Sequence, residues 1–330
     1  MRVTVQVESM EPMARHLYPP THPGRELAWR VRVVLQAVRV ADPMAAPHGV
    51  ALVLDHSPYV PPAQLEAAVA GVVRGIEALG AQDYLALVLM DGQHRLLASP
   101  AQVGGSRQWV ADRLAEVRPG AGANLCGGWL RARQQLEEAP WVTRAHAAST
   151  RRIVLCTAGV IDTGIADAAT LAELARGARH RGIGTSVLAL GESPALSLLE
   201  GIAQAGGGRC HRVETAQEVA EALAAERREL GLRAVRGVSV RVVPSDGVRL
   251  EVEHPAGVRE PGGTPLFTIP ELASEEVVAF TLRASCLGAQ WDRLRGAQAP
   301  LAVVQADGER FTARGGTDAT SEVVPVHPPA

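Results

Sequence analysis

Three short stretches hold the side chains best suited to chemistry. The first, LDHSPYV (54–60), brings a carboxylate, an imidazole and a hydroxyl together at Asp55, His56 and Ser57. A hydrolytic relay needs these groups to face one another, which adjacent residues do not do, and no G-x-S-x-G elbow occurs. The second, PGAGANLCGG (119–128), is rich in glycine and holds Cys126. Its glycines permit tight turns, but no G-K-[ST] follows, so it is not a phosphate-binding loop. The third, LCTAGVIDTG (155–164), holds Cys156 and Asp162. A nucleophilic thiol needs a base and a lowered pKa, and nothing near either cysteine supplies them. Catalysis is therefore not expected, and contact with a partner is the better use of these loops. The candidates for that contact are His56, Tyr59, Asn124 and Asp162.

The elements around these stretches alternate between strand and helix. VALVLD (50–55) is apolar up to its last residue, as a strand covered on both faces would be. Leu65, Val69, Val72, Val73, Ile76 and Leu79 then recur at helical spacing, with Pro61 and Pro62 suited to the helix start and Gly80 to its end. A strand follows at 84–91, with an antiparallel partner at 94–99. Helices are expected over 106–117 and 125–138, a buried strand over 151–157, and a helix over 168–181. A strand at 184–190, a helix at 194–205, a turn at Gly206 to Gly208, an edge strand at 209–213 and a helix at 216–229 complete the series. This order predicts an α/β fold, a doubly wound and mostly parallel six-stranded sheet of Rossmann-like type over 49–231. Eight strand–helix repeats, as a TIM barrel requires, are not present.

Outside that region the texture changes to period two, suited to a half-buried sheet. Val3, Val5 and Val7 alternate with polar residues, as do Trp29, Val31, Val33 and Leu35, on either side of a turn-rich stretch from Tyr18 to Gly24. Ala41 to Gly49 reads as a linker. Alternation returns at 239–245, 248–254, 276–285 and 301–307, separated by Gly-Pro-rich turns, above all at 255–265. Residues 1–48 and 232–314 are thus expected to pair as one β-rich, sandwich-like domain, with 315–330 as a flexible tail.

The central region resembles the von Willebrand factor A family, in the bacterial arrangement with β-rich segments on either side. The family carries a metal-ion-dependent adhesion site of three parts: an Asp-x-Ser-x-Ser loop after the first strand, a Thr in a Gly-rich loop, and an Asp after the fourth strand. Asp55 and Ser57 match the first motif, with Tyr59 in place of the second Ser. Asn124 and Leu125 match the Gly-rich run, with Ala123 in place of Thr. Thr157 and Gly159 match the third, with Ala158 in place of Asp. Mg²⁺ requires near-octahedral oxygen coordination. Two alanines offer no side-chain oxygen, and the tyrosine hydroxyl lies farther from its backbone than a serine hydroxyl. The resemblance therefore implies a degenerate metal site, with no metal and no cofactor expected. Asp55 is left to cap a nearby N–H or meet a partner, and Tyr59 either to fill the space of an ion or to enter an interface.

Composition agrees with a folded protein. Of 330 residues, 47% are hydrophobic and only 3% aromatic, so aliphatic side chains must fill the core. A net charge of -2 gives no general surface for nucleic acid. Four widely spaced cysteines make no disulfide framework and suit a reducing compartment. No signal-like or membrane-spanning apolar run is present, so the expectation is cytoplasmic, without membrane. The function expected is a non-catalytic protein-protein interaction module with an unidentified protein partner. A Mg²⁺-dependent adhesion module with a rebuilt site, using Asp162 or Asp91, is the alternative, and a hydrolase a more distant one.

Overall fold

A computed structural model describes residues 2–9, 26–37, 47–138, 150–254, 258–259, 264–311 and 317–327. The Tyr18 to Gly24 turn, most of the Ala41 to Gly49 linker and most of the 255–265 turn lie outside the described residues. The chain divides into two compact units, one of residues 40–233 with 311–317, the other of 1–39, 234–310 and 318–330.

The first unit is α/β. Its strands are β3 (Gly49–Asp55), β4 (Tyr84–Met90), β5 (His94–Gln102), β6 (Arg151–Thr157), β7 (Ile183–Leu190) and β8 (Gly207–Val213). They form one sheet in the order β5-β4-β3-β6-β7-β8, parallel except for β5, which runs back along β4. Every residue of β3 is buried, because helices cover both faces. On one face lie α1 (Pro62–Glu77), α2 (Val103–Ala115) and α6 (Ala216–Gly231), packing Leu65, Val72, Ile76, Val110, Leu114, Val219 and Leu223 against the sheet. On the other lie α3 (Leu125–Glu138), α4 (Ala168–His180) and α5 (Leu196–Ala205), with Trp129, Leu136, Leu171, Leu199 and Ile202 inward. This is the doubly wound arrangement that the alternating pattern predicts.

Two details depart from the pattern. Helix α2 begins at Val103, directly after β5, and not at 106. The glycines at 206–208 do not form a turn alone: β8 already starts at Gly207. A Cβ on Gly208 would lie 2.2 Å from the carbonyl oxygen of Thr185, so glycine here permits close strand packing. Close packing also explains Gly71 in α1, where a Cβ would lie 2.5 Å from that of Val219 on α6.

The second unit is built on antiparallel sheets. Four strands, β1 (Arg2–Ser9), β2 (Glu26–Gln36), β10 (Arg249–His254) and β13 (Val277–Leu287), run in the order β1-β2-β13-β10. Strands from the two ends of the chain therefore pair directly, from Glu26 with Leu287 to Gln36 with Val277. Five others, β9 (Arg233–Pro244), β11 (Val258–Arg259), β12 (Pro265–Ala273), β14 (Ala302–Phe311) and β15 (Thr317–Val326), run in the order β11-β12-β9-β14-β15. Phe267 of one sheet and Phe280 of the other lie with ring centroids 4.1 Å apart. A short helix, α7 (Gly288–Gly296), places Trp291 on Trp29 at 4.4 Å.

Strand β15 corrects the expectation of a flexible tail over 315–330. An edge strand buries one face only, so its sequence carries little apolar signal. Its Pro325 is tolerated at an edge, where the missing N–H breaks no ladder, and Val326 is buried. Among the described residues no helix is long and apolar enough to cross a membrane.

Candidate functional site

The three chemically promising stretches meet at the carboxyl edge of the α/β sheet, where ligands bind in open α/β folds. The loop after β3 turns at Asp55, which is fully buried. Asp55 Oδ1 accepts the N–H of Ser57 at 2.9 Å. Its Oδ2 accepts the hydroxyl of Thr157 at 2.6 Å and the N–H of Ala158 at 3.2 Å. Thr157 Oγ1 in turn accepts the N–H of Gly159 at 2.9 Å. One carboxylate thus locks the loop after β3 to the loop after β6.

Asp162 makes a second, exposed tie. Its Oδ1 accepts the N–H of Ala123 at 2.7 Å and the hydroxyl of Thr163 at 2.7 Å, while Oδ2 accepts the hydroxyl of Tyr59 at 2.8 Å. All three loops are joined through this one side chain. The backbone repeats the link, since the N–H groups of Asp162 and Thr163 both donate to the carbonyl of Ala123. Gly122, at φ 73°, takes the left-handed conformation that turns Ala123 toward Asp162. Asp91, at the end of β4, shapes the same Gly-rich loop by accepting the N–H of Ala121 at 3.1 Å.

The remaining candidates have local duties. His56 Nδ1 donates to the carbonyl of Arg118 at 2.8 Å. Asn124 Oδ1 accepts the N–H of Gly127 at 2.8 Å, a cap on the first turn of α3. Tyr59 keeps 44% of its surface exposed in spite of its bond to Asp162. Ala123 and Ala158 are buried, and so is Ser57, whose hydroxyl has no hydrogen-bond partner.

No family model and no curated protein matches the sequence. Solved structures do. A von Willebrand factor type A protein from Catenulispora acidiphila superposes with a TM-score of 0.63 at 13% identity, over 98% of this chain and 73% of that one. This chain has the von Willebrand factor A fold. The ArnB paralog VWA2 from Sulfolobus acidocaldarius is also similar, at a TM-score of 0.52 and 14% identity, over 98% of this chain and 75% of that one.

In this von Willebrand factor A fold, the five positions compared with the metal motif, Asp55, Ser57, Tyr59, Ala123 and Ala158, sit in the three joined loops. The electrostatics follow from the bonds. The N–H of Ala123, then the hydroxyls of Thr163 and Tyr59, hold the Asp162 carboxyl below its ordinary range. The same bond raises the Tyr59 hydroxyl, because losing its proton would set two anions together. Burial pushes the Cys156 thiol far up, helped by the Asp55 charge, and burial also raises Cys126. All four cysteines are free. Sequence reasoning did not single out Ser193, whose hydroxyl donates to the carbonyl of Ala158 at 2.7 Å. Nor did it single out Glu192 and Glu214, which stand just past the ends of β7 and β8 on the same edge. Their signal was position: polar residues directly after strands that read as parallel.

Proposed function

We propose that this chain is a metal-independent protein-interaction module, with the carboxyl edge of the α/β sheet as its binding face. The observation that carries this reading is the Asp162 carboxylate, which bonds to Tyr59, Ala123 and Thr163 and so does by protein hydrogen bonds the joining of loops that an ion would do. The donors present do not fit Mg²⁺. Both oxygens of Asp55 are engaged, and positions 123 and 158 offer no side-chain oxygen. Ser57 leaves one buried hydroxyl unpartnered. A single hydroxyl is far from an octahedral set. Among the described residues no group of three or more His, Cys, Asp or Glu side chains is arranged to hold a metal.

A non-catalytic role is supported by the state of the nucleophiles. The thiols of Cys126 and Cys156 are shifted toward the unreactive protonated form. His56 spends its ring nitrogen on a backbone carbonyl and not on Ser57. Tyr59 has the exposed aromatic ring and hydrogen-bonding tip that interfaces favour.

The test has two arms. Thermal unfolding in chelator and in excess Mg²⁺ should give the same midpoint, since an ion held only by the native state would raise it. A saturable rise that vanishes in Asp55→Ala would overturn the metal-free reading. Capture of a partner from native lysate should survive chelator and be lost in Tyr59→Ala with the unfolding midpoint kept. Capture unaffected by Tyr59→Ala would remove this face from the interface.

A further inference from the structure

A groove of about 670 Å³ opens beside Tyr59 on this edge of the sheet. Tyr59, Pro61, Gln64, Val160 and Pro194 bound it, together with Glu192 and Glu214. Buried Ala158 and Leu190 close its base. The register of the sheet sets the two glutamates side by side. Leu190 pairs with Val213, and the N–H of Gly191 donates to the carbonyl of Val213 at 2.9 Å, so the two chains leave the sheet together. Gly191 is at φ 57°, and a Cβ there would lie 2.0 Å from Gln64 Nε2, so the groove wall is shaped around a glycine.

Charge decides what such a groove can hold. Among the described residues no Arg or His lines it. Neither glutamate side chain makes a hydrogen bond or ion pair with a described residue. The nearest arginine in sequence, Arg212, is already paired with Glu200 at 3.7 Å. Two unpaired carboxylates beside a groove of mixed polar and apolar lining repel an anion and attract a cation. An arginine or lysine combines the charge and the aliphatic stem that this lining can accept. Its aliphatic stem can lie along Pro61, Val160 and Pro194, its charge can meet Glu192 and Glu214, and the exposed Tyr59 ring can present its π face to the cation.

We propose that this groove receives an arginine or lysine side chain of the partner protein. The inference rests on the reading of this face as a metal-free interaction surface. It reverses the chemistry of a metal-dependent site, where a bound cation recruits a carboxylate from the partner: here the protein supplies the carboxylates and the partner the cation.

The chain itself contains no lysine, its 33 basic residues all being arginine, which gives a clean chemical test. Short peptides capped at both ends, with one central Lys among Gly, Ala and Ser, are mixed with the full chain and a water-soluble carbodiimide. An amide then forms between the peptide Nε and an activated carboxyl, whose oxygen leaves in the urea by-product. Mass spectrometry locates the bond. Coupling should saturate with peptide and concentrate on Glu192 and Glu214. The matching Arg peptide should compete and the Gln peptide should not. In fluorescence anisotropy, the Arg peptide should bind about tenfold more weakly to Glu192→Gln/Glu214→Gln. Coupling spread over the exposed carboxylates, or equal binding by the double variant, would overturn the proposal. The two readings fail separately. Mg²⁺-dependent stabilisation lost in Asp55→Ala overturns the metal-free face, whereas unselective coupling with a Mg²⁺-insensitive midpoint overturns only the basic side chain.

Discussion

The two edges of the six-stranded sheet solve the burial of charge in opposite ways. At the amino edge, where β3, β4 and β6 begin, Asp83 and Arg227 form an ion pair with each side chain only 1% exposed. Asp83 also accepts the N–H groups of His48 and Gly80. Under α6, buried Arg152 lies 3.6 Å from Glu226 and 3.3 Å from Glu229, and Glu226 accepts further bonds from Ser186 and His211. At the carboxyl edge the one buried acid, Asp55, meets only neutral donors. The second tie, Asp162, is exposed. Paired buried charges are strongly destabilising to break, so the amino edge is the rigid anchor. The carboxyl edge is held by neutral and solvent-facing bonds, and its outer side chains, such as Tyr59, stay exposed.

The sharpest way to break this comparison is Asp83→Ala. It breaks the buried ion pair with Arg227 and leaves two backbone N–H groups without their acceptor. Stability should fall by about 3–5 kcal/mol in denaturant unfolding. A loss below about 1 kcal/mol would mean the amino edge is not the anchor.

Asp55→Ala should cost less, about 2–3 kcal/mol, since the donors it orphans are neutral. A cost equal to that of Asp83→Ala would erase the distinction between the edges.

The amino edge should also carry the pH dependence. His48 is buried, and its Nδ1 shares a hydrogen bond with the hydroxyl of Thr150. Its Nε2 has no hydrogen-bond partner among the described residues. Burial, then the Arg227 charge, lowers its pKa from 6.5 to about 3. A depressed folded pKa gives stability that is complete above 6.5 and is lost as pH falls toward about 3, because only the unfolded chain takes up the proton in that window. Glu226 acts in the same direction at lower pH. Burial alone would raise its pKa, but the His211 bond, the Arg152 charge and the Ser186 hydroxyl outweigh it, so its contribution is present above the ordinary carboxylate value and fades below it. Midpoints measured against pH should therefore drop through this window, and His48→Gln should flatten the slope nearest 6.5. An unchanged slope would place the proton uptake elsewhere.

The smallest effect belongs to Tyr59→Phe. It removes an exposed hydroxyl bonded to an exposed carboxylate, a class of contact that adds little to stability. The unfolding midpoint should not move measurably. A clear loss would make Tyr59 a structural strut filling the loop face, and not a free contact residue.

Local chemistry made much of this legible. The apolar runs within β3 and β6 suit strands covered on both sides, and the spacing of Leu65, Val72 and Ile76 suits one face of a helix. Strand β15 escaped because an edge strand with polar residues outward has almost no hydrophobic signature. The site was half legible: its positions follow from strand ends, but its bonds do not.

Composition and periodicity determined the order of strands and helices in the α/β unit, the buried side of its first helix, and the absence of oxygen donors at Ala123 and Ala158. Tertiary structure alone decided that Tyr59 would reach Asp162 across 103 positions and Arg227 would reach Asp83 across 144. The physical reason is range. Hydrophobic periodicity is written within a few residues of chain, whereas a hydrogen bond or ion pair between distant loops exists only once the sheet has fixed where their ends emerge.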